Sequence, residues 1–250
     1  GRELNVLEGH TKDVLALVAF HPGRYGGTWL ASGSADSTIR IWIVGGEGAK
    51  HVLRRSGGSA KMDSHPGQGC NVNALAAFVD PHRTDDPRLA SASDDWRVRV
   101  WDPIRGDELL VFKGHQNEVH ALAVFSSAGF RARIASGGSW DDCTIRLWNA
   151  DSGYSTNASD TAVGKRNLLV LEGHTTRVGA LAVFQDTADP WVEQAEPNYG
   201  TAYYLNTATG ETTFLKPPVT SSTRLASSSE DSIRIWDVVA LHCVFYGPLG

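Results

Sequence analysis

Cysteine is scarce in this chain of 250 residues: Cys70, Cys143 and Cys243 stand far apart and form no CxxC pair. An odd count without metal spacing reads as reduced intracellular thiols, which excludes a disulfide frame and a zinc site. Long apolar runs are absent as well. No stretch approaches 18 apolar residues, so no membrane span is expected, and no signal peptide is visible. Like charges never gather into a block, and 23 Lys and Arg against 28 Asp and Glu leave a net charge of −5. A basic face for nucleic acid is therefore missing, although Arg97 with Arg99 and Arg131 with Arg133 form small clusters. An apolar period of 3.6 residues is missing too, which argues against helices.

Repetition is what the sequence has. Residues Leu110 to Trp148 hold Gly114-His115, the alternating run VHALAVF, a small-residue strand RIASGG, an acidic turn and TIRLW. The same pieces occur around Gly9-His10 through Trp42, Gly67-Gln68 through Trp101, and Gly173-His174 through Trp236. In every copy the residue after Gly lies ten positions before a Phe, at 20, 78, 125 and 184. A fixed offset in four places marks an internal repeat of one supersecondary unit. Alternation in ALAVF and TIRLW gives strands of period two, and turn residues such as Gly-Ser-Ala-Asp separate them.

Gly-His near the start and Trp-Asp near the end of each copy resemble the WD-repeat β-propeller family. Trp101-Asp102 and Trp236-Asp237 keep the dipeptide, whereas Trp42-Ile43 and Trp148-Asn149 depart from it and Gln68 replaces the His. The resemblance implies an all-β fold of four-stranded blades at about 10–55, 67–113, 114–172 and 173–250. The propeller part would comprise 1–184 and 221–250. Glu3 to Leu7 matches the outer strands of LLVFKGH and LLVLEGH, and LHCVFYG (241–247) supplies an outer strand after Trp236. The count is thus four blades plus one extra N-terminal outer strand. Members usually close with seven or eight blades, so the expectation is a fragment of a seven- or eight-bladed ring, because the chain opens on Gly1 in mid-blade. The alternatives are an oligomer that completes the ring and a small irregular ring.

The repeats offer His, Ser and Asp together: His10, Ser32 and Asp36; His115, Ser136 and Asp142; His174, Ser227 and Asp231. Nucleophilic hydrolysis needs one such constellation in one pocket with an oxyanion hole. Three near-identical sets at repeat spacing point instead to a structural task performed once per blade. The resemblance implies a hydrogen-bonded chain from Asp through His and Ser to the indoles of Trp42, Trp148 and Trp236. In copy two Gln68 would serve a partial network beside Asp95 and Trp101.

Copy four is interrupted between Phe184 and Leu225. The insert holds Trp191, Tyr203-Tyr204, a Thr-Gly-Glu turn, Phe214 and Pro217, and turn signals divide it into three short strands. Tyr203 to Phe214 is eleven positions and Phe214 to Pro217 three. This order resembles a WW domain, at 187–219, placed between the first two strands of the fourth blade. By resemblance, Trp191, Tyr204 and Pro217 close its small core, while Tyr203, Leu205, Thr207 and Phe214 line a groove for proline-rich ligands. Phe214 stands for the groove Trp and Thr207 for a His that reads a ligand Tyr, so selectivity for Pro-Pro-x-Tyr is not expected.

The expected function is a protein-interaction scaffold inside the cell, nuclear or cytoplasmic, that is not an enzyme and binds proteins with proline-rich segments. No cofactor, metal, nucleic acid or membrane partner is expected. The rivals are a hydrolase using the repeated His and Ser, which would need one set departing from the repeat, and a nucleic-acid-associated propeller, which would need a basic ring.

Overall fold

The computed structural model describes residues 1–46, 48–55, 70–79, 87–125, 132–150, 167–186, 191–195, 202–206, 212–213, 222–230 and 232–238. Its regular structure is almost wholly β. The first repeat forms β1 (Val14–Phe20), β2 (Trp29–Ser34), β3 (Ile39–Ile43) and β4 (Ala49–Leu53), paired in that order, with one 3-10 turn at Gly23–Tyr25. The second forms β5 (Val72–Val79), β6 (Pro87–Ser93), β7 (Arg97–Asp102) and β8 (Asp107–Lys113). The third forms β9 (Val119–Phe125), β10 (Arg133–Gly138), β11 (Ile145–Asn149) and β12 (Asn167–Leu171). Each is an antiparallel four-stranded meander.

In the fourth repeat β13 (Ala180–Asp186) is followed by β14 (Trp191–Ala195), β15 (Ala202–Asn206) and β16 (Thr212–Thr213). These last three make a sheet of their own. After them come β17 (Ser222–Ser228) and β18 (Ile233–Asp237), which join β13 in the order β13-β17-β18. The expected outer strand at 241–247 lies outside the described residues. Two compact units divide the chain, Gly1–Ala182 with Ala226–Arg234 and Val183–Leu225 with Ile235–Gly250.

Glu3 to Leu7, expected as an outer strand, is not one. These residues run as irregular chain with Leu4 91 % exposed and Val6 59 % exposed. A strand exists only through the ladder it joins, and among the described residues no strand lies beside this segment to complete one.

Two apolar clusters hold the first three blades together. One joins Phe20, Ala31, Ile39, Ile41 and Leu53 of the first blade to Val72, Leu89 and Trp101 of the second. The other joins Ala90, Ala92, Val98, Val100 and Phe112 to Val119, Ile134 and Trp148. Both faces of a middle blade are therefore apolar, which is why its strands read as nearly continuous hydrophobic runs. The turn before the third strand ends in a left-handed residue, Ser37 (φ 67°), Trp96 (φ 67°) or Cys143 (φ 48°), where no glycine marks it in the sequence.

Whether the residue after Trp is apolar or polar has a cross-strand cause; the choice of Asn149 over Asp beside an Arg has none in the structure. Ile43 pairs with Trp29, apolar on apolar, and Asn149 pairs with Arg133. Where Asp is kept, an Arg of the second strand meets it: Arg88 Nη1 lies 3.6 Å from Asp102 Oδ2, and Arg224 forms an ion pair with Asp237. The residue after Trp follows its neighbour across the ladder. Asp102 has a second use, because its Oδ1 accepts from the N–H groups of Ile104 (2.9 Å) and Arg105 (3.0 Å) and closes the turn into β8.

Candidate functional site

The repeated polar sets lie where the Gly-His loop meets the turn between the second and third strands. In the first blade, Asp36 is an acceptor only, so His10 carries its proton on Nδ1 and donates to Asp36 Oδ2 at 2.8 Å. His10 Nε2 then accepts from the Ser32 hydroxyl at 2.7 Å, and the Trp42 indole N–H donates to Ser32 Oγ at 2.8 Å. The Asp36 carboxylate also accepts from the Thr11 N–H and from the Thr38 N–H and hydroxyl. Burial pushes its pKa up, but the bonds from Thr38, His10 and Thr11 outweigh that and hold it far below the usual carboxylate range.

The third blade repeats this arrangement in a drier setting. His115 donates to Asp142 at 2.5 Å and accepts from Ser136 at 2.6 Å, while Trp148 donates to Ser136 at 2.7 Å. Gln116 N–H and the Thr144 hydroxyl also donate to Asp142. Burial pushes the His115 pKa down, the Asp142 contacts oppose this only in part, and Arg146 adds to the depression. At neutral pH the imidazole is neutral and fixed as one tautomer. Burial pushes Asp142 up, and its bonds to His115, Thr144 and Gln116 bring it below its ordinary value.

In the fourth repeat His174 Nε2 is 2.7 Å from Ser227 Oγ, and its Nδ1 is 3.0 Å from Ser229 Oγ; Asp231 lies outside the described residues. Trp236, the fourth indole, is half-buried. The four serines are buried, at 4 % exposed for Ser32, 3 % for Ser91, 0 % for Ser136 and 1 % for Ser227. A hydroxyl enclosed in this way presents nothing to a substrate carbonyl, whatever the resemblance to a triad.

The second blade is built differently, in a way the sequence reading missed. Gln68 lies outside the described residues. Trp101 still donates to Ser91 (2.9 Å), but Asp95 is gripped by Arg99, with Nη1 to Oδ1 at 3.0 Å and Nη2 to Oδ2 at 2.6 Å. Arg99 Nε donates to Glu108 Oε2 at 3.1 Å, and Arg55 stands 3.8 Å from Asp95. Arg99 is 4 % exposed. Burial pushes Asp95 up, yet the Arg99 fork keeps it below its ordinary value. The signal was present: Arg40, Arg99, Arg146 and Arg234 all stand two positions before the Trp, and only in copy two does the turn Asp lack its His. Arg40, at the same place in the first blade, lies over the Trp42 ring at 5.9 Å instead.

One further trio brings ligand-type atoms within 4.8 Å of one another: Asp94, Glu118 and His120. Its contacts are internal to the blades. Asn73 Nδ2 donates to Asp94 Oδ1 (2.6 Å) and to the Val119 carbonyl (3.0 Å), and His120 Nε2 is 3.3 Å from Glu118 Oε2. Burial pushes the Asp94 carboxyl up.

The inserted sheet is placed by its backbone register. Trp191 pairs with Asn206, Glu193 with Tyr204 and Gln194 with Tyr203, and Tyr204 pairs with Thr213 on the other side. Thr207, Phe214 and Pro217 lie outside the described residues.

Three outcomes follow from these networks. His115→Ala lowers unfolding free energy by about 1–3 kcal/mol in urea denaturation, the cost of stranding buried partners. Arg99→Met costs more, about 3–5 kcal/mol, because it removes both guanidinium bonds to Asp95 and leaves that enclosed carboxylate with only the more distant Arg55 to answer its charge; an unfolding midpoint equal to wild type would show that Arg55 suffices. Acid destabilises in two stages. His115 has a folded pKa below its unfolded value near 6.5, so its contribution is full above that pH and is lost as pH falls towards the folded value. Asp36, Asp95 and Asp142, all depressed, lose theirs below about pH 4, whereas raised Asp94 is relieved on acidification. The check is the difference in urea midpoint between pH 7 and pH 5.5, which narrows in His115→Ala.

Comparison with known proteins agrees with this construction. The family model "WD domain, G-beta repeat" matches residues 1–42, 59–102 and 106–149, and the model "WW domain" matches 188–217. Nuclear distribution protein PAC1 of Arthroderma benhamiae is 31 % identical over 234 residues, covering 92 % of this chain and 42 % of that protein. Coronin-like protein crn1 of Schizosaccharomyces pombe is 33 % identical over 143 residues, or 57 % of this chain and 20 % of its own length. The chain therefore spans less than half the length of these relatives. In fold, it is similar to the computationally designed Ika4 protein, with a TM-score of 0.55 and 23 % identity, over 95 % of this chain and 98 % of that one. The repeated blades, their shared indole–serine bond and the matched segments carry one conclusion: the chain belongs to the WD-repeat family of β-propeller proteins and contains a WW domain.

Proposed function

We propose that this chain is a non-catalytic interaction scaffold inside the cell, in which the WD-repeat blades form a platform and the WW domain captures a proline-rich segment of a partner. Protein binding is the general task of both modules. The groove would be formed by Tyr203, Leu205, Thr207 and Phe214. The observation that carries this reading is the register of β14 and β15, which supports Tyr203 and Leu205 on the face away from Trp191 and Tyr204. Two residues alternating on one face leave the other side free to close the small core, with Pro217 in that role. A polyproline II ligand has no internal hydrogen bonds to break and little entropy to lose, so a shallow aromatic groove suffices to hold it. Phe214 gives ring area without an indole donor, which weakens the grip but leaves the stacking. Two recognition devices on one chain raise the effective concentration of one partner near the other.

A panel of proline-rich peptides, with and without a Pro-Pro-x-Tyr core, titrated into the chain tests this reading. Saturable binding is expected, with little preference for the Tyr-containing peptide and about a tenfold loss in Tyr203→Ala, equal to roughly 1.4 kcal/mol. Equal affinity of wild type and variant would remove Tyr203 from the groove, and no binding by any peptide would sink the proposal.

A further inference from the structure

What the fold requires recurs in every repeat, and a set of residues that occurs once serves something else. The joint between the second and third blades holds such a set. Asp94 N–H donates to the Asn71 carbonyl at 3.1 Å, as Ala35 N–H does to Asp13 and Ser139 N–H to Glu118, so Asp94, Ala35 and Ser139 share one position of the repeat. Glu118 stands where the other copies have Asp13, Asn71 and Arg177, just before a valine, and His120 where they have Leu15, Asn73 and Gly179. The first joint thus has Ala35, Asn71 and Asn73, the second Asp94, Glu118 and His120, and the third Ser139, Arg177 and Gly179. Blades pack without three metal-ligating side chains at the first and third joints, so packing does not call for them at the second.

Their geometry is that of a coordination shell short of its ion. His120 Nε2 stands 3.3 Å from Glu118 Oε2, and a carboxylate oxygen of Asp94 lies within 4.8 Å of both ligand atoms. Metal bonds of about 2.0–2.1 Å at a tetrahedral angle set two ligand atoms about 3.3 Å apart. The Glu118–His120 pair already has that spacing, and Asp94 has at most about 1.5 Å to close. The groups behind the ligands are fixed. Asn73 Nδ2 donates to Asp94 Oδ1 (2.6 Å) and to the Val119 carbonyl (3.0 Å), which ties the carboxylate to the strand that carries His120. Glu118 N–H donates to Asn117 Oδ1 at 2.8 Å, and the Glu118 carbonyl accepts from Ser139 N–H at 2.8 Å. Backing of this kind orients ligands before an ion arrives. Asp94 is 9 % exposed, while the side chains of Glu118 and His120 are 26 % and 25 % exposed, so the set has a closed floor and an open mouth through which an ion enters and water reaches it.

We propose that Asp94, Glu118 and His120 hold one divalent transition ion of the zinc type, with water completing its shell, as a clip between the second and third blades. Asp94 follows β6 and the other two open β9, so the ion adds a polar link to a joint made otherwise by the apolar cluster of Ala90, Val98, Val100 and Val119. The charges of Asp94 and Glu118 oppose each other, and a cation between them turns that cost into binding. One imidazole with two carboxylates suits zinc, cobalt or manganese, whereas calcium and magnesium take shells of oxygen alone. A set without cysteine leaves no trace in cysteine spacing.

Titration calorimetry of Zn2+ into the full chain, first stripped of metal with a chelator, tests this against His120→Ala and Glu118→Gln. Wild type is expected to bind one ion with a Kd of about 10 µM or tighter, and each variant to bind about tenfold or more weakly. Co2+ is expected to give visible ligand-field bands in wild type that vanish in His120→Ala. Zn2+ is expected to raise the urea midpoint of wild type and not of the variants, and Mg2+ to leave it unchanged. Both substituted side chains reach the surface, and near-UV circular dichroism checks the fold; His120→Gln replaces a variant that fails that check. No saturable binding below about 1 mM, or equal affinity in wild type and both variants, which would mean an adventitious ion only, would each overturn the proposal.

Discussion

An indole N–H has one proton to donate and no way to retract it, and in the blades of this protein it is buried. Trp42, Trp101 and Trp148 are each 3 % exposed or less. A donor stranded at that depth costs about 1–3 kcal/mol, so an acceptor must stand beside it. Ser32, Ser91 and Ser136 are those acceptors, each ten to twelve residues earlier on the neighbouring strand. Once the serine oxygen has accepted from Trp, its own proton points outward to the imidazole, and the imidazole proton to the carboxylate. Each bond fixes the direction of the next, and the last one pins the Gly-His loop against the turn between the second and third strands.

The second blade shows which part of this chain of bonds is obligatory. Its Trp101–Ser91 bond is kept, while the carboxylate end is held by a guanidinium. An Arg fork and a His ring differ in length, charge and number of donors, and what they share is the ability to neutralise or satisfy a carboxylate that burial has made costly. Glu108 then completes the balance of charge around Arg99. In the first three blades the turn Asp is thus constant, and the group that answers it is open to substitution when a second carboxylate is at hand.

Much of this could be read from residues alone. The ten-residue offset from the Gly-His loop to Phe placed the first strands, and the small-residue runs placed the second, because both follow local alternation and turn chemistry. The set His115, Ser136, Asp142 and Trp148 was legible for the same reason: repetition identified the partners without any knowledge of distance. What could not be read depended on neighbours remote in sequence. Glu3 to Leu7 has the composition of a strand but no ladder to enter. Arg99 and Asp95 are near in sequence, but the second carboxylate that makes the Arg tolerable at depth, Glu108, becomes adjacent only when β7 and β8 pair. The inserted sheet showed its aromatic order in sequence, while the opposition of Trp191 to Asn206 and of Glu193 to Tyr204 needed the register.

The matched residues that flank each Trp across the ladder set the first blade apart from the others. Trp29 with Ile43 is an apolar pair, whereas Arg88 with Asp102, Arg133 with Asn149 and Arg224 with Asp237 are polar, and neither half of the first fits a half of the other three. Unequal crossing-over that involves the first repeat could therefore add or delete whole blades without harm only if the break fell in a connection between them. A break between its second and third strands would set Arg against Ile or Trp against Asp across the ladder. A repeat locked in this manner stops being an interchangeable copy, whereas the second and fourth keep the same pair and differ in what stands between their first two strands.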